Sequence, residues 1–432
     1  MARKISDMKN HWIKLEYIKV MKKILILLIV ILPIFTNCKN SEIDSNENFD
    51  SQYTHILNNT TISKEEKCDK LTELFVEKYN IKTALSVSVQ NENINFYKNY
   101  GLASLSDKNI CNDETLHYIY SISKTFTSAL TLTLIEQNIL DIDKSIEYYL
   151  PELFSEKYIG TKDLNLYINK DATIKELLNH TSGIYDFAKN SKLYNTSNSI
   201  FSELWNPEKI LDYIEHPKEK IGTYIYSSTN YILLGLIIQK ATGKKLNNLF
   251  EEYFYKPLKI SMTYLAPQDE LNYSAIAHPH VYPNTDFNLT GDGFTPIDLT
   301  KILTPFVYLI GKASWSSGGM VSNASSIAKW GYELYSEKGN AISKHARNQL
   351  YQSIIDITSD KSEVYGYGIR KLFYKDFEFT GTYGRSAGSE NLLFYNEMYD
   401  TSFCILSNSN MNKKNYPNID ELLFWLFECV KI

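Results

Sequence analysis

The stretch YSISKTFTSALTLTLI, residues 120–135, places Ser121 and Lys124 at the start of an apolar helical pattern carrying Phe126, Ala129, Leu130, Leu134 and Ile135. At about 3.6 residues per turn, the serine and the lysine share one helix face. The unsatisfied N–H groups and positive dipole end at a helix start favour an oxyanion, and a buried lysine can be neutral enough to take a serine proton. Nucleophile and base would then stand together. A capping serine followed by a solvated lysine fits the same residues, so the pair needs support from the rest of the chain.

Support comes from what surrounds it: Tyr118 through Leu150, then Pro151 and Glu152, with Ile139, Leu140, Asp141, Ile142, Asp143 and Lys144 after the helix. Over residues 65 to 430 the chain resembles the β-lactamase-related serine hydrolases, the family spanning class C β-lactamases, D-Ala-D-Ala carboxypeptidases and related esterases. Thr173 to Gly183 is similar to the family's next landmark. Read from its residues it is a helix boxed by Thr173 and Glu176 and ended by Gly183, which makes His180 structural rather than catalytic. Tyr226-Ser227-Ser228-Thr229-Asn230-Tyr231 is similar to the family's Tyr-x-Asn segment. The resemblance makes Tyr226 the proton-transfer partner of Ser121 and Lys124, and puts Ser228 where an asparagine would touch substrate. A phenol serves this purpose when cationic charge stands close by.

Two further landmarks follow. Ala313 to Ser322 carries Gly318 and Gly319, read as close-packing glycines. Tyr383 to Gly388 occupies the place of the family's Lys-Thr-Gly or His-Thr-Gly strand. In that alignment Arg385 holds a substrate carboxylate, Ser386 is the hydroxyl partner and the Ala387 methyl narrows the approach to the strand edge. The backbone N–H groups of Ser121 and Gly388 then form the oxyanion hole. The departures at Ser228 and Ala387 make a β-lactamase the less favoured reading.

The organisation agrees with an α+β, β-lactamase/transpeptidase-like fold. A helix over Thr61–Tyr79 precedes strand patterns at Thr83–Val89 and Ile94–Tyr100. Strand patterns at Tyr367–Phe373, Asn391–Tyr395 and Thr401–Leu406 precede a helix over Ile419–Val430, with Asn418 and Glu421 as its capping pair. An antiparallel sheet built from both termini, with an all-helical insertion at about 121–350 of a catalytic domain spanning 61–432, is the expected architecture.

Ahead of that domain, Met21, Lys22 and Lys23 precede an apolar run from Ile24 to Phe35, which reads as a signal peptide over 21–37. The run is shorter than the roughly 20 residues of a spanning helix. Residues 1–20 read as an over-extended start. Cys38 is the expected lipidation site, followed to residue 60 by a polar linker, which implies an anchor in a cell-envelope membrane on its periplasmic or surface side. Of Cys68, Cys111, Cys404 and Cys429, the first and last could pair if the terminal helices pack, with buried free thiols an equal alternative.

A net charge of -5 with scattered Lys and Arg argues against nucleic acid as a partner. His278 and His280 lack zinc-type spacing, and neither phosphate-binding glycine loop nor Gly-x-Ser-x-Gly elbow is found, so neither metal nor cofactor is expected. The expected protein is a monomeric, exported serine hydrolase that forms an acyl-enzyme with a small amide, ester or peptidoglycan peptide. A D-Ala-D-Ala carboxypeptidase-like or esterase-like activity leads, with a β-lactamase and a non-catalytic peptidoglycan-binding lipoprotein as alternatives.

Overall fold

The computed structural model describes residues 42–190, 206–266, 268–282, 295–301, 313–356, 364–410 and 418–432. The signal, the start segment and Cys38 lie outside these residues. The chain divides into one unit ending at Gln52 and another spanning Tyr53–Ile432. Among the described residues no helix is long and apolar enough to cross a membrane.

The linker expected at 38–60 is instead helical over Glu42–Asn58. Its C-terminal end carries Tyr53, Ile56 and Leu57, which pack against the apolar cluster of the C-terminal helix, with Tyr53 5.0 Å from Trp425 between ring centroids. The polar run up to Asp50 gave no sign of these anchors, because they follow it.

In the larger unit, helix α1 is Lys64–Lys78 and is capped by Ser63, whose Oγ accepts the Glu66 N–H at 3.1 Å. Strands β1 (Leu85–Gln90) and β2 (Asn95–Tyr100) form a hairpin. After β3 (His117–Tyr118) come helices α2 (Ser123–Glu136), α3 (Ile174–Leu178) and α4 (Ser228–Thr242). Then follow β4 (Thr263–Leu265), β5 (Met320–Ser322), α5 (Ala324–Tyr335) and α6 (Lys344–Gln352). The chain ends with β6 (Ile355–Asp356), β7 (Val364–Tyr365), β8 (Arg370–Tyr374), β9 (Phe377–Ser386), β10 (Ser389–Asn396), β11 (Thr401–Ser407) and α7 (Ile419–Lys431).

The main sheet is antiparallel, in the order β6-β7-β8-β9-β10-β11-β1-β2, so strands from both ends of the chain meet at the β1–β11 pair. Alternation along each strand divides two cores. Leu85, Val87, Val89, Phe379, Leu392, Phe394, Phe403 and Ile405 meet α1 and α7, while Leu393, Tyr395, Cys404 and Leu406 meet α5 and the helical body. Gly331 lets α5 close on the sheet, since a Cβ there would stand 2.4 Å from Ser402 Oγ.

The insertion is not all-helical. Strands β4 and β5 within it form a small sheet with β3, which precedes it, and His280–Val281 pairs with Ile297–Asp298. Strands of two or three residues are too short for a period-2 pattern to reveal. The capping of α7 also differs from expectation: Asn418 accepts the Asp420 N–H at 2.9 Å, but Glu421 reaches Lys78 Nζ at 2.9 Å and the Tyr79 hydroxyl. It therefore ties α7 to the end of α1. Cys68 and Cys429, on these two helices, are buried thiols with Sγ atoms 3.7 Å apart, beyond the roughly 2.05 Å of a disulfide.

Burial gives the fold a pH dependence. His117 is enclosed, with Nε2 3.0 Å from Ser86 Oγ, and desolvation lowers its pKa to about 4. The unfolded chain binds that proton near pH 6.5, so it holds more protons than the folded one between these values and stability falls as pH drops. The loss starts below about pH 6.5 and levels off below about pH 4, at about 3 kcal/mol for this residue. Urea midpoints at pH 7 and pH 4.5 check this: His117→Gln is expected to flatten the wild-type decline, and equal declines in both proteins refute it.

Candidate active site

The chain leaves β3 through Ile119 and turns in a short 3₁₀ helix, Tyr120–Ile122, before α2 begins at Ser123. Tyr120 has φ +44°, a conformation that a bulky side chain rarely adopts and that neighbours must hold. Its buried ring packs with Tyr118, Ile276 and Val321, and its hydroxyl bonds Ser386. Two close approaches lock the backbone around it. A Cβ on Gly384 would stand 2.0 Å from Ile119 O, and one on Gly318 would stand 3.1 Å from Ser314 Cβ and 3.5 Å from the Tyr120 carbonyl carbon. Ser121 is thereby presented half-buried rather than in the packed core.

Three sequence-predicted residues converge. Lys124 Nζ donates to Ser121 Oγ at 3.0 Å and the Tyr226 hydroxyl donates to the same oxygen at 2.8 Å. Lys124 is buried, donates also to the Ser317 carbonyl at 2.8 Å, and lies 5.0 Å from the Tyr226 ring centroid and 5.5 Å from that of Tyr231. Ser317 escaped the sequence reading because its contribution is a backbone carbonyl. Its segment is fixed by Thr127, whose hydroxyl donates to Ser316 O at 2.7 Å, and by Ser316 Oγ, which donates to Tyr231 O at 2.7 Å.

Tyr226 enters from the loop before α4. Ser228 starts that helix, and its N–H bonds the Asp186 carboxylate, so an aspartate from another loop caps α4; burial raises the pKa of that carboxyl. His180 lies under the loop, buried, with its ring centroid 4.5 Å from that of Tyr226. The Thr173–Glu176 box is present, but α3 ends at Leu178 with Asn179 as its C-cap. Gly183, five residues past the helix, has φ +71°, and a Cβ there would meet Glu219 O at 2.4 Å.

The last landmark is placed differently from expectation. Along β9, Phe379 and Tyr383 face the terminal helices, and Arg385 falls on that same face. The Arg385 guanidinium lies 4.1 Å over the Tyr383 ring and pairs through Nε with Glu390 Oε1 at 2.7 Å, turned away from Ser121. Ala387 and Gly388 form the two-residue turn between β9 and β10, whose end residues Ser386 and Ser389 pair. Ala387 packs with Val281 and Leu299, while the Gly388 carbonyl accepts the His280 N–H at 3.1 Å. The partners described for both lie in the 279–299 segment rather than at the nucleophile. Thr382, Gly384 and Ser386 form the face toward the helical body, and of these only Ser386 was anticipated.

A cation missed by the sequence reading takes a place near the site. Arg370 on β8 has its guanidinium carbon 5.4 Å from the ring centroids of both Tyr226 and Tyr365. Past Gly381, β9 pairs with β10 alone among the described strands, which leaves the stretch Thr382–Ser386 with one open edge beside the nucleophile's turn.

These features define a fold in which a helical body and an antiparallel sheet enclose a Ser-x-x-Lys pair. The profile of the family described as Beta-lactamase matches residues 68–422, and the chain belongs to that family. Among solved structures it is similar to the D-amino acid amidase from Ochrobactrum anthropi SV3, with TM-score 0.68 and 18% identity over 89% of this chain and 99% of that one. A penicillin-binding protein homologue from Pyrococcus abyssi gives TM-score 0.57 and 18% identity over 82% of this chain and 74% of that one. Among curated proteins, the Unguisins hydrolase ungD of Aspergillus violaceofuscus is 29% identical over 43% of this chain and 32% of its own length. Protein flp of Staphylococcus aureus strain MW2 is 26% identical over 53% of this chain and 45% of its own length. The chain thus matches less than half the length of either relative.

Proposed function

We propose that this protein is a serine hydrolase that cleaves a small amide or ester through an acyl-enzyme on Ser121. The observation that carries this reading is a half-buried serine oxygen with both Lys124 Nζ and the Tyr226 hydroxyl within 3.0 Å. In the reacting form the Lys124–Tyr226 pair holds one proton fewer than an ammonium and a phenol together, so as Ser121 Oγ bonds to the substrate carbonyl carbon its proton passes to that pair, which returns it to the departing amine or alkoxide. Water then cleaves the acyl ester by the reverse proton path. The Ser121 N–H and an N–H from the open stretch Thr382–Ser386, in place of Gly388, would hold the oxyanion.

For substrate, we propose a carboxypeptidase-like preference for a peptide ending in a free carboxylate. Arg370 takes the role first given to Arg385, because its guanidinium lies beside Tyr226. The D-amino acid amidase likeness supports an amide substrate with a D-configured residue. Arg370→Ala is expected to raise KM for an acyl-D-Ala-D-Ala peptide by about 10- to 100-fold, the cost of a lost charge-assisted hydrogen bond, and to spare a neutral acyl ester. Equal losses on both substrates would remove Arg370 from carboxylate binding.

Intact-mass measurement after incubation with a fluorophosphonate and with penicillin tests the acyl-enzyme directly. A mass increase with either probe supports it, and no adduct with both argues for the non-catalytic binder. An envelope location is part of the proposal, supported by Lys22, Lys23 and the apolar run before Cys38. Cell fractionation of the wild type and Cys38→Ala checks it: loss of the variant from the membrane fraction is the expected result.

A further inference from the structure

We propose that His180 is the positioning residue for Tyr226, holding the backbone on both sides of the phenol and thereby setting its reach to Ser121. This rests on the acyl-enzyme reading above. The Ile225 N–H donates to the His180 carbonyl at 2.9 Å, and the Ser227 N–H donates to His180 Nδ1 at 3.3 Å. His180 thus binds the N–H groups of both residues that flank Tyr226, while its ring supports the phenol from beneath at 4.5 Å.

The rest of the network fixes His180 itself. Asn230 Nδ2 lies 3.1 Å from Nδ1, and Asn230 Oδ1 accepts from Ser182 Oγ at 2.7 Å, so the amide turns its donor to the ring. Nδ1 faces two donors and must be the acceptor, which puts the ring proton on Nε2, 3.1 Å from the Tyr365 hydroxyl. The backbone at His180 has φ +62°, which presents its carbonyl and its ring to the same passing segment. A core histidine kept only for packing has no need of this double hold on a reacting group's neighbours.

The arrangement works with a neutral ring. Around it stand the phenols of Tyr224, Tyr226, Tyr231 and Tyr365 and the cations of Lys124 and Arg370. Burial, then these two cations, push the histidine's pKa well below its ordinary value. A proton on Nδ1 would set donor against donor at both Ser227 and Asn230.

The test is a double-mutant cycle on acylation by a chromogenic ester, with folding of each variant checked by circular dichroism. His180→Leu is expected to lower the acylation rate constant about 10- to 100-fold with KM little changed, the scale of an ångström-size displacement of a reacting group. In a Tyr226→Phe background the same change is expected to add less than about 3-fold, because its effect runs through the phenol. His180→Asn tolerates positive φ and places an oxygen near the Nδ1 position, so it recovers most of the rate, whereas His180→Gln does not. If His180→Leu does not fold, the Asn and Gln variants carry the cycle. Full additivity with Tyr226→Phe, or equal rates for the Asn and Gln variants, overturns the positioning role while leaving the acyl-enzyme intact. A wild type that is never acylated removes the acyl-enzyme reading and this role with it.

Discussion

Ser121→Ala is expected to end covalent labelling by fluorophosphonate and penicillin and to lower ester hydrolysis by at least about a thousandfold. The hydroxyl is the common acceptor of Lys124 and Tyr226, so its loss removes the bond-forming atom and leaves both donors in place. Lys124 keeps the Ser317 carbonyl and two flanking phenol rings, and so the variant should unfold within a few degrees of the wild type. Mass spectrometry and a melting curve on one sample separate the two effects. Labelling that persists at another residue would show that the nucleophile lies elsewhere.

Lys124→Met should be almost as damaging, with acylation slowed by about 10²- to 10⁴-fold, the range expected for loss of a positioned proton acceptor. Methionine fills much of the same buried volume, so the expected change lies in rate rather than in folding. The interpretation depends on comparison with Tyr226→Phe. If lysine is the principal acceptor of the serine's proton, Tyr226→Phe costs less than Lys124→Met; the reverse order would make Tyr226 the principal acceptor. An unchanged acylation rate in Lys124→Met would contradict a role for the amine.

The parts of the molecule that the sequence made legible are those where residue type and spacing coincide with a physical need. Ser121, Lys124 and Tyr226 meet, although a hundred or so positions separate the phenol from the pair, and strands β1, β2, β10 and β11 lie close to their hydrophobic patterns. The failures have a common cause. Arg385 was assigned to the substrate because it keeps the cation of the family's Lys-Thr-Gly landmark, but along a strand the face is set by position, and two residues earlier Tyr383 already points to the terminal helices. Counting by twos from Phe379 would have put Arg385 on the wrong side and Gly384 against the nucleophile's turn. Arg370 was missed because a lone basic residue at the start of a strand has no pattern. Ser317 was missed because its carbonyl is common to every residue type. The short strands β3, β4 and β5 gain their order from one another rather than from any local alternation.

The seam between β1 and β11 also governs when the molecule can become itself. A chain delivered from its N-terminus, by a ribosome or through a narrow pore, holds the edge Leu85–Gln90 unmatched until Thr401–Ser407 has emerged, more than three hundred residues later. Closing so wide a loop is slow, and the waiting edge is open to any other extended chain. Thr401–Ser407 must therefore have been made before the fold can be sealed, and until then the polypeptide is best kept threaded or chaperoned.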